Sequence, residues 1–362
     1  MTVEETKVED KKMEQLWSDY NKLPTNSKPF DGDYPPLQPT DKGFPTHKPN
    51  DFIWDETSDE PHRTRRKLIL AKYPEIKELF GYCPITKYTS VALVLAQFAL
   101  AYYVKDKMWT AEYWIISYVF GATITHALFL AVHEITHFLA FEKPNYNRYL
   151  AMIVNLPMAF PYCIAFRGYH MEHHTLQGSD GVDTDLPTKI EGVLFSSFIG
   201  KIVFCFFQIL FYALRPMFVK LQPFTSWHAI NWVFQFSSMG AMIYFWGINP
   251  FLYFVTSTFL AGCFHPMSGH FLAEHYVFVE GYETYSYYGI WNIFAYNVGY
   301  HNEHHDFPRV PGSRLPMVRE IAKEFYDDLP QVKSWPMTIV NFIMYPHMTP
   351  YNRVKRNAKK QQ

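Results

Sequence analysis

The sequence predicts an all-α integral membrane protein with about four transmembrane helices in two hairpins, interfacial helices between them, and a histidine-rich cap on the cytosolic side. Three observations predict it. Uncharged apolar runs approaching bilayer length recur in the middle of the 362-residue chain, Lys and Arg are spread unevenly around them, and eight of the sixteen histidines fall in three tight clusters beside those runs. The mean hydropathy of −0.15 hides this, because polar ends are averaged with an apolar middle.

Taken in order, residues 1–50 are acidic, Pro-rich and without an apolar stretch, which predicts a disordered cytosolic tail and no secretory signal. Thr2 excludes N-myristoylation. Residues 51–87 carry seven Lys or Arg and read as a cytosolic segment. Residues 88–104 hold no charge over 17 positions, close to the ~20 that a spanning helix needs, and residues 113–132 form a second such run. The turn between them offers only Lys105 and Lys107, so the positive-inside rule puts this turn in the lumen.

Residues 224–273 run 50 positions without Lys, Arg, Asp or Glu, and Asn249-Pro250 ends one helix and starts another. This second hairpin returns the chain to the cytosol, where residues 306–362 follow with ten Lys or Arg. Two other apolar stretches are expected at the interface. Residues 147–166 are interrupted by Pro157 and Pro161, and residues 193–214 carry Lys201 near the middle and would break the parity of the spans.

A net charge of −1 gives no reason to expect nucleic acid as a partner, and Cys83, Cys163, Cys205 and Cys263, without CxxC spacing, read as buried thiols. The histidines carry the chemistry. The clusters are HEITH (His133, His137), HMEHH (His170, His173, His174) and HNEHH (His301, His304, His305). On a helix, positions i, i+3 and i+4 share a face, so each cluster presents its imidazoles in one direction. The topology puts all three on one side of the membrane. Eight imidazoles exceed what one catalytic zinc uses, and they suit two metal ions with free positions for oxygen, with iron a fitting choice. HEITH alone is also the spelling of an intramembrane zinc peptidase, with Glu134 as base. The recurrence of a glutamate in every cluster (Glu134, Glu172, Glu303) favours a supporting role, in which carboxylates accept the other ring N–H of the imidazoles. Asp183 and Asp185, in SDGVDTD, are further candidates for that support. His126, seven residues before His133, is expected to line a tunnel.

The pattern HxxxH, HxxHH, HxxHH resembles the membrane-bound desaturase and hydroxylase superfamily. The flanking text, DFIWDETSDEPHRTRRKLILAKYPEIKELFGYCP, FRGYHMEHHTLQGSDGVDTDLPT and GYHNEHHDFPRVPGSRLP, is similar to the sphingolipid Δ4-desaturases over residues 50–350. The resemblance implies two iron ions held by histidines and O2 as oxidant. It also implies conversion of dihydroceramide to ceramide through a trans C4–C5 double bond, with an apolar tunnel for the substrate. It makes 51–87 a segment typical of these enzymes and 88–305 the membrane desaturase domain. A ninth ligand is implied between the second and third clusters, His275 first and His270 second. No HPGG haem motif or dinucleotide fingerprint is visible, which implies electrons from NAD(P)H through a separate cytochrome b5 and its reductase. The terminal KKQQ resembles an endoplasmic-reticulum retrieval signal and, with both termini cytosolic, implies that membrane. A sphingolipid C4-hydroxylase, or a bifunctional enzyme, is the nearest alternative. A lipid-binding or metal-sensing membrane protein without catalytic activity is the third class.

Overall fold

Every apolar run of the sequence becomes helix. The computed structural model describes residues 45–46, 48–56 and 61–357, with positions 11, 14, 15 and 18. The expectations for the rest of the tail and for KKQQ lie outside the described residues. Strand β1 (Ile53–Asp55) and helix α1 (Pro61–Lys72) precede α2 (Pro84–Val104), which Pro84 starts at a position where its missing N–H costs nothing. Helix α3 (Ala111–Thr136) antiparallels it through 26 residues. That is roughly 39 Å, longer than the ~30 Å hydrocarbon core, so its end projects beyond the apolar layer.

The middle of α3 widens into a π-helical stretch over Ile116–Ala122. Such a stretch loosens the backbone ladder, and a buried side chain satisfies what it frees. Gln97 of α2 donates from Nε2 to the Gly121 carbonyl at 2.9 Å and to Thr125 Oγ1 at 2.6 Å, and Tyr253 donates to Gln97 Oε1 at 2.8 Å. Gly121 lets this happen. A Cβ there would sit 2.4 Å from Ser257 Oγ.

Helices α4 (Pro144–Asn155) and α5 (Cys163–Thr175) form a pair bent by 112° across residues 159–162. The break falls where the prolines predict it, so this stretch does not run straight through an apolar layer. Helices α6 (Lys189–Phe195) and α7 (Phe198–Val219) follow, then α8 (Ser226–Trp246), which Gly247 ends at φ +82°, and α9 (Asn249–Ala261), with Pro250 in its first turn. The rest is short: α10 (His270–Ala273), β2 (Ser286–Tyr287), α11 (His301–Asp306), α12 (Leu315–Ile321), β3 (Gln331–Val332), α13 (Trp335–Met344) and β4 (Val354–Arg356).

Among the described residues three helices, α2, α3 and α7, are long and apolar enough to cross a membrane, or four if the bent α4–α5 pair counts as one. This differs from the expected list in two ways. Helix α8 is absent from it because it carries buried Asn231 and Gln235, and α9 because it has only 13 residues. Helix α7 is on it, and Lys201 does not interrupt its apolar face. The side chain is buried, donates to the Tyr345 carbonyl and leaves Phe198, Ile199, Leu210, Leu214 and Phe218 exposed. Near its other end Arg215 pairs with Glu191 at 2.8 Å and donates to the Asp185 carbonyl at 3.0 Å. Both ends of α7 are therefore tied to the same layer as the histidines.

The two flanks of the chain close on each other. β1 pairs with β4 in parallel, Ile53 opposite Val354 and Asp55 opposite Arg356. The described residues of 51–87 and residues 306–357 therefore form one layer with the histidine helices.

Candidate metal centre

Nine imidazoles from four segments meet at the C-terminal end of α3. His133 lies in its last turn and His137 caps it. Helix α5 brings His170, His173 and His174 on one face, α11 brings His301, His304 and His305, and His275 follows α10. They divide into two groups. Ligand atoms of His133, His137, His170, His174 and His304 lie within 4.8 Å of one another, as do those of His173, His275 and His305. His301 joins the second group, its Nε2 2.9 Å from that of His275. The groups abut where the rings of His174 and His305 stack at 4.2 Å.

The spacing fits metal ions. Nε2 atoms are 2.8 Å apart for His137–His170, 3.0 Å for His170–His174, 3.1 Å for His174–His304 and 3.0 Å for His173–His275. Donors bound at right angles to one ion at the usual imidazole distance stand about 3 Å apart. His133 and His305 each keep a buried Nε2 without a hydrogen-bond partner, which costs about 1–3 kcal/mol unless something accepts the lone pair. Burial, aided by the nearby Arg167 charge, pushes His137 down to about 3. Burial and then His133 and His137 hold His304 well below the usual imidazole value. Both are neutral at pH 7, the form that binds a metal.

Of the proposed ligand set, His270 is the residue the structure leaves out. Its Nδ1 lies 2.9 Å from His126 Nε2 and 3.1 Å from the Met267 carbonyl, and it belongs to neither group. Among the carboxylates, Asp183 sits where support was expected, its oxygens 3.1 and 3.2 Å from His173 Nδ1. Burial works to lower His173, but the Asp183 charge and hydrogen bond outweigh it and lift the imidazole above its usual value. The other four carboxylates are placed differently. Glu134 accepts from the Gly312 N–H at 3.1 Å, Glu172 takes Lys220 at 2.7 Å, Glu303 takes Ser286 and Tyr288 at 2.7 Å each, and Asp185 takes Arg353. On α3 and α5 these residues neighbour a ligand in sequence, and the 100° turn per residue aims them elsewhere. That also removes the peptidase reading, since Glu134 does not face the imidazoles.

The acidic loop has a second purpose. Lys355 of β4 pairs with Asp180 at 2.6 Å, Arg353 with Asp185, and Arg356 with Glu283 and, at 3.0 Å, with Asp55. The C-terminal strand thus pins the loop that holds His173. His62, Arg65, Thr284 and Glu274 were not singled out from the sequence. They hold no metal-ligand spacing of their own, and the cations of 51–87 read as topology signals.

A cavity of about 520 Å³ ends on this centre. At one end it is walled by His133, His170, His173, His275 and His301. At the other it is bounded by Phe160, Met217, Leu221, Phe224 and Trp232, all of them exposed. Phe129, Phe166 and Phe271 line the passage between. An apolar channel runs from the apolar outer surface to the imidazoles.

A mostly helical apolar fold, with two short strand pairs that the all-α expectation lacked and a poly-imidazole centre beside such a channel, defines a membrane lipid-oxidising enzyme of the desaturase class. The chain matches the fatty acid desaturase family over residues 88–335 and the sphingolipid Delta4-desaturase family over residues 48–85. It is 49% identical over 313 residues to the Drosophila melanogaster sphingolipid delta(4)-desaturase DES1, covering 85% of this chain and 96% of that one. It is 47% identical over 313 residues to the Homo sapiens protein of the same name, with the same coverage, and 47% over 330 residues to the Candida albicans sphingolipid delta(4)-desaturase, covering 86% and 89%. The chain belongs to the sphingolipid Δ4-desaturase family.

Proposed function

We propose that this chain desaturates dihydroceramide to ceramide, forming the trans C4–C5 double bond, at two iron ions held by the five- and four-imidazole groups. The convergence of nine imidazoles, five of which line an apolar cavity, carries the reading, together with the family. The C4-hydroxylase, bifunctional and peptidase alternatives find no counterpart in the names of these relatives.

Iron, when bound, supplies the oxidising power from O2 that breaking an unactivated C–H bond demands. The side chains do the rest. Phe129, Phe166 and Phe271 hold the chain in an apolar passage that excludes water, and Asp183 fixes the ring of His173 by accepting its Nδ1–H. Taking two hydrogens from C4 and C5 reduces O2 to two waters only if two electrons and two protons also arrive. The donor we propose is a separate cytochrome b5 with its NAD(P)H-dependent reductase. His137 and His174 are the partly exposed members of the centre, and Arg148 and Arg167 stand beside them over the Phe138 ring at 5.3 and 4.2 Å. That edge suits an acidic donor.

The topology we infer is four crossings, α2, α3, α8 and α9 extended by the residues that follow it up to 273, with both termini cytosolic in the endoplasmic reticulum membrane. The β1–β4 pairing supports an even number of crossings. Helix α7, tied to the cap at both ends, then lies in the interface with its apolar face toward lipid. The test is reconstitution of the purified chain with iron, cytochrome b5, reductase and NADH. Ceramide should form from dihydroceramide only when O2 is present, with about two irons per chain. One bound zinc and no O2-dependent product would refute it.

A further inference from the structure

An apolar passage cannot by itself choose which carbons of a methylene chain are oxidised. Contacts with one methylene discriminate by only roughly 10- to 200-fold, whereas a site built to hydrogen-bond a hydroxyl rejects the analogue lacking it by about 10,000- to 100,000-fold. A Δ4 position therefore calls for a polar anchor beside the centre. Among the described residues lining the cavity two are acidic, Asp185 and Glu274. Asp185 is held by Arg353. Glu274 has no such cation. It immediately precedes His275, and its carboxyl reaches no nearer than 3.5 Å to His301 Nδ1, which is long for a hydrogen bond. A half-buried carboxyl has up to four acceptor positions, and those facing the cavity want a donor.

We propose that Glu274 is the group that sets the register of the substrate, its carboxyl accepting the hydrogen bond of the C3 hydroxyl of the sphingoid base. C3 is bonded to C4, so holding that hydroxyl beside His275 and His301 brings C4 and C5 to the centre while both hydrocarbon tails lie toward the apolar mouth. Tyr212 and Thr184, which also line the cavity, offer hydroxyls to the neighbouring amide and C1 oxygen. Among the described residues, no other acidic side chain lines the cavity and also approaches a ring of the four-imidazole group this way. The inference rests on the sphingolipid Δ4 reading.

The experiment compares the full-length protein with Glu274→Gln and Glu274→Ala, in membranes supplied with the electron donors, on dihydroceramide and on its 3-deoxy analogue. Products are mapped for double-bond position, and iron is measured per chain. The wild type should prefer dihydroceramide by at least 100-fold in kcat/KM. Glu274→Ala should bring that ratio close to one and scatter the double bond beyond C4–C5, with about two irons retained. Glu274→Gln, which keeps an acceptor oxygen, should fall between. Equal loss on both substrates, or iron falling in step with activity, would overturn the proposal and leave Glu274 as a support for His301. A wild type that makes no ceramide would overturn the underlying function instead.

Discussion

His62 Nδ1 lies 2.8 Å from the Asp306 carboxylate, across 244 residues of sequence. Arg65, one turn further along α1, donates to the same carboxylate at 2.6 Å and to Asn302 at 2.9 Å, and Tyr326 adds a hydrogen bond at 2.9 Å. Burial would raise the Asp306 carboxyl, but the Arg65 charge and then His62 outweigh it and hold it below the usual carboxylate value. The other nitrogen of His62 meets Thr284 Oγ1 at 3.0 Å, and Thr284 in turn is 3.5 Å from His275 Nδ1. The segment before the first span is thus built into the back of the third histidine cluster. Arg65→Met should strip a buried charge of its partner and cost about 3–5 kcal/mol. Thermal denaturation in detergent should show the drop, and Arg65→Met with Asp306→Leu should recover part of it.

The imidazole grouping separates His275 from His270. His275→Ala and His305→Ala should each lower iron below two per chain and abolish detectable turnover. His270→Ala should keep both irons, because that ring bonds His126 and Met267. Elemental analysis of the purified variants checks this, and full iron in His275→Ala would contradict the grouping.

Glu134 tells the same story from the other side. Its carboxylate accepts from the Gly312 N–H, a bond that a glutamine oxygen reproduces. Glu134→Gln should therefore keep desaturation within about threefold, since hydrogen bonds of this kind contribute roughly 0.5–1.5 kcal/mol. A general base replaced by glutamine would instead lose orders of magnitude.

Gly312 makes that contact possible. A Cβ there would stand 1.9 Å from the Tyr296 carbonyl. Gly312→Ala should destabilise by about 1–3 kcal/mol or more, as overpacking does, and loosen the loop that follows the third cluster. A lower midpoint of thermal unfolding with unchanged product regiochemistry is the expected pair of readings.

Among the described residues Arg148 hydrogen-bonds the Asn145 side-chain amide at 2.6 Å, lies over the Phe138 and Trp227 rings, and forms no ion pair. Arg148→Glu should raise the KM for an acidic electron donor about tenfold at low salt, with the effect fading as ionic strength rises. The same KM at every salt concentration would place donor docking elsewhere.

Much of this protein is legible in the text of the chain, for identifiable reasons. Residues 88–104 and 113–132 declare themselves because a bilayer tolerates only long uncharged helices. HEITH, HMEHH and HNEHH declare a metal centre because i, i+3, i+4 spacing forces their side chains onto one helical face. What those local rules cannot carry is direction around the helix axis and contact over long separations. Glu134, Glu172 and Glu303 have the right spacing and point away from the rings. Lys201 reads as a charge in an apolar helix and is turned inward against Tyr345. The sequence by itself determined the helices, the three histidine clusters that could hold metal, and the family. The tertiary structure alone shows the five-and-four grouping of the imidazoles, His275 beside His173 and His301 with His270 beside His126, and the contacts of α1 and β4 with that layer. Each of these depends on packing between residues far apart in the chain, which no periodicity along it records.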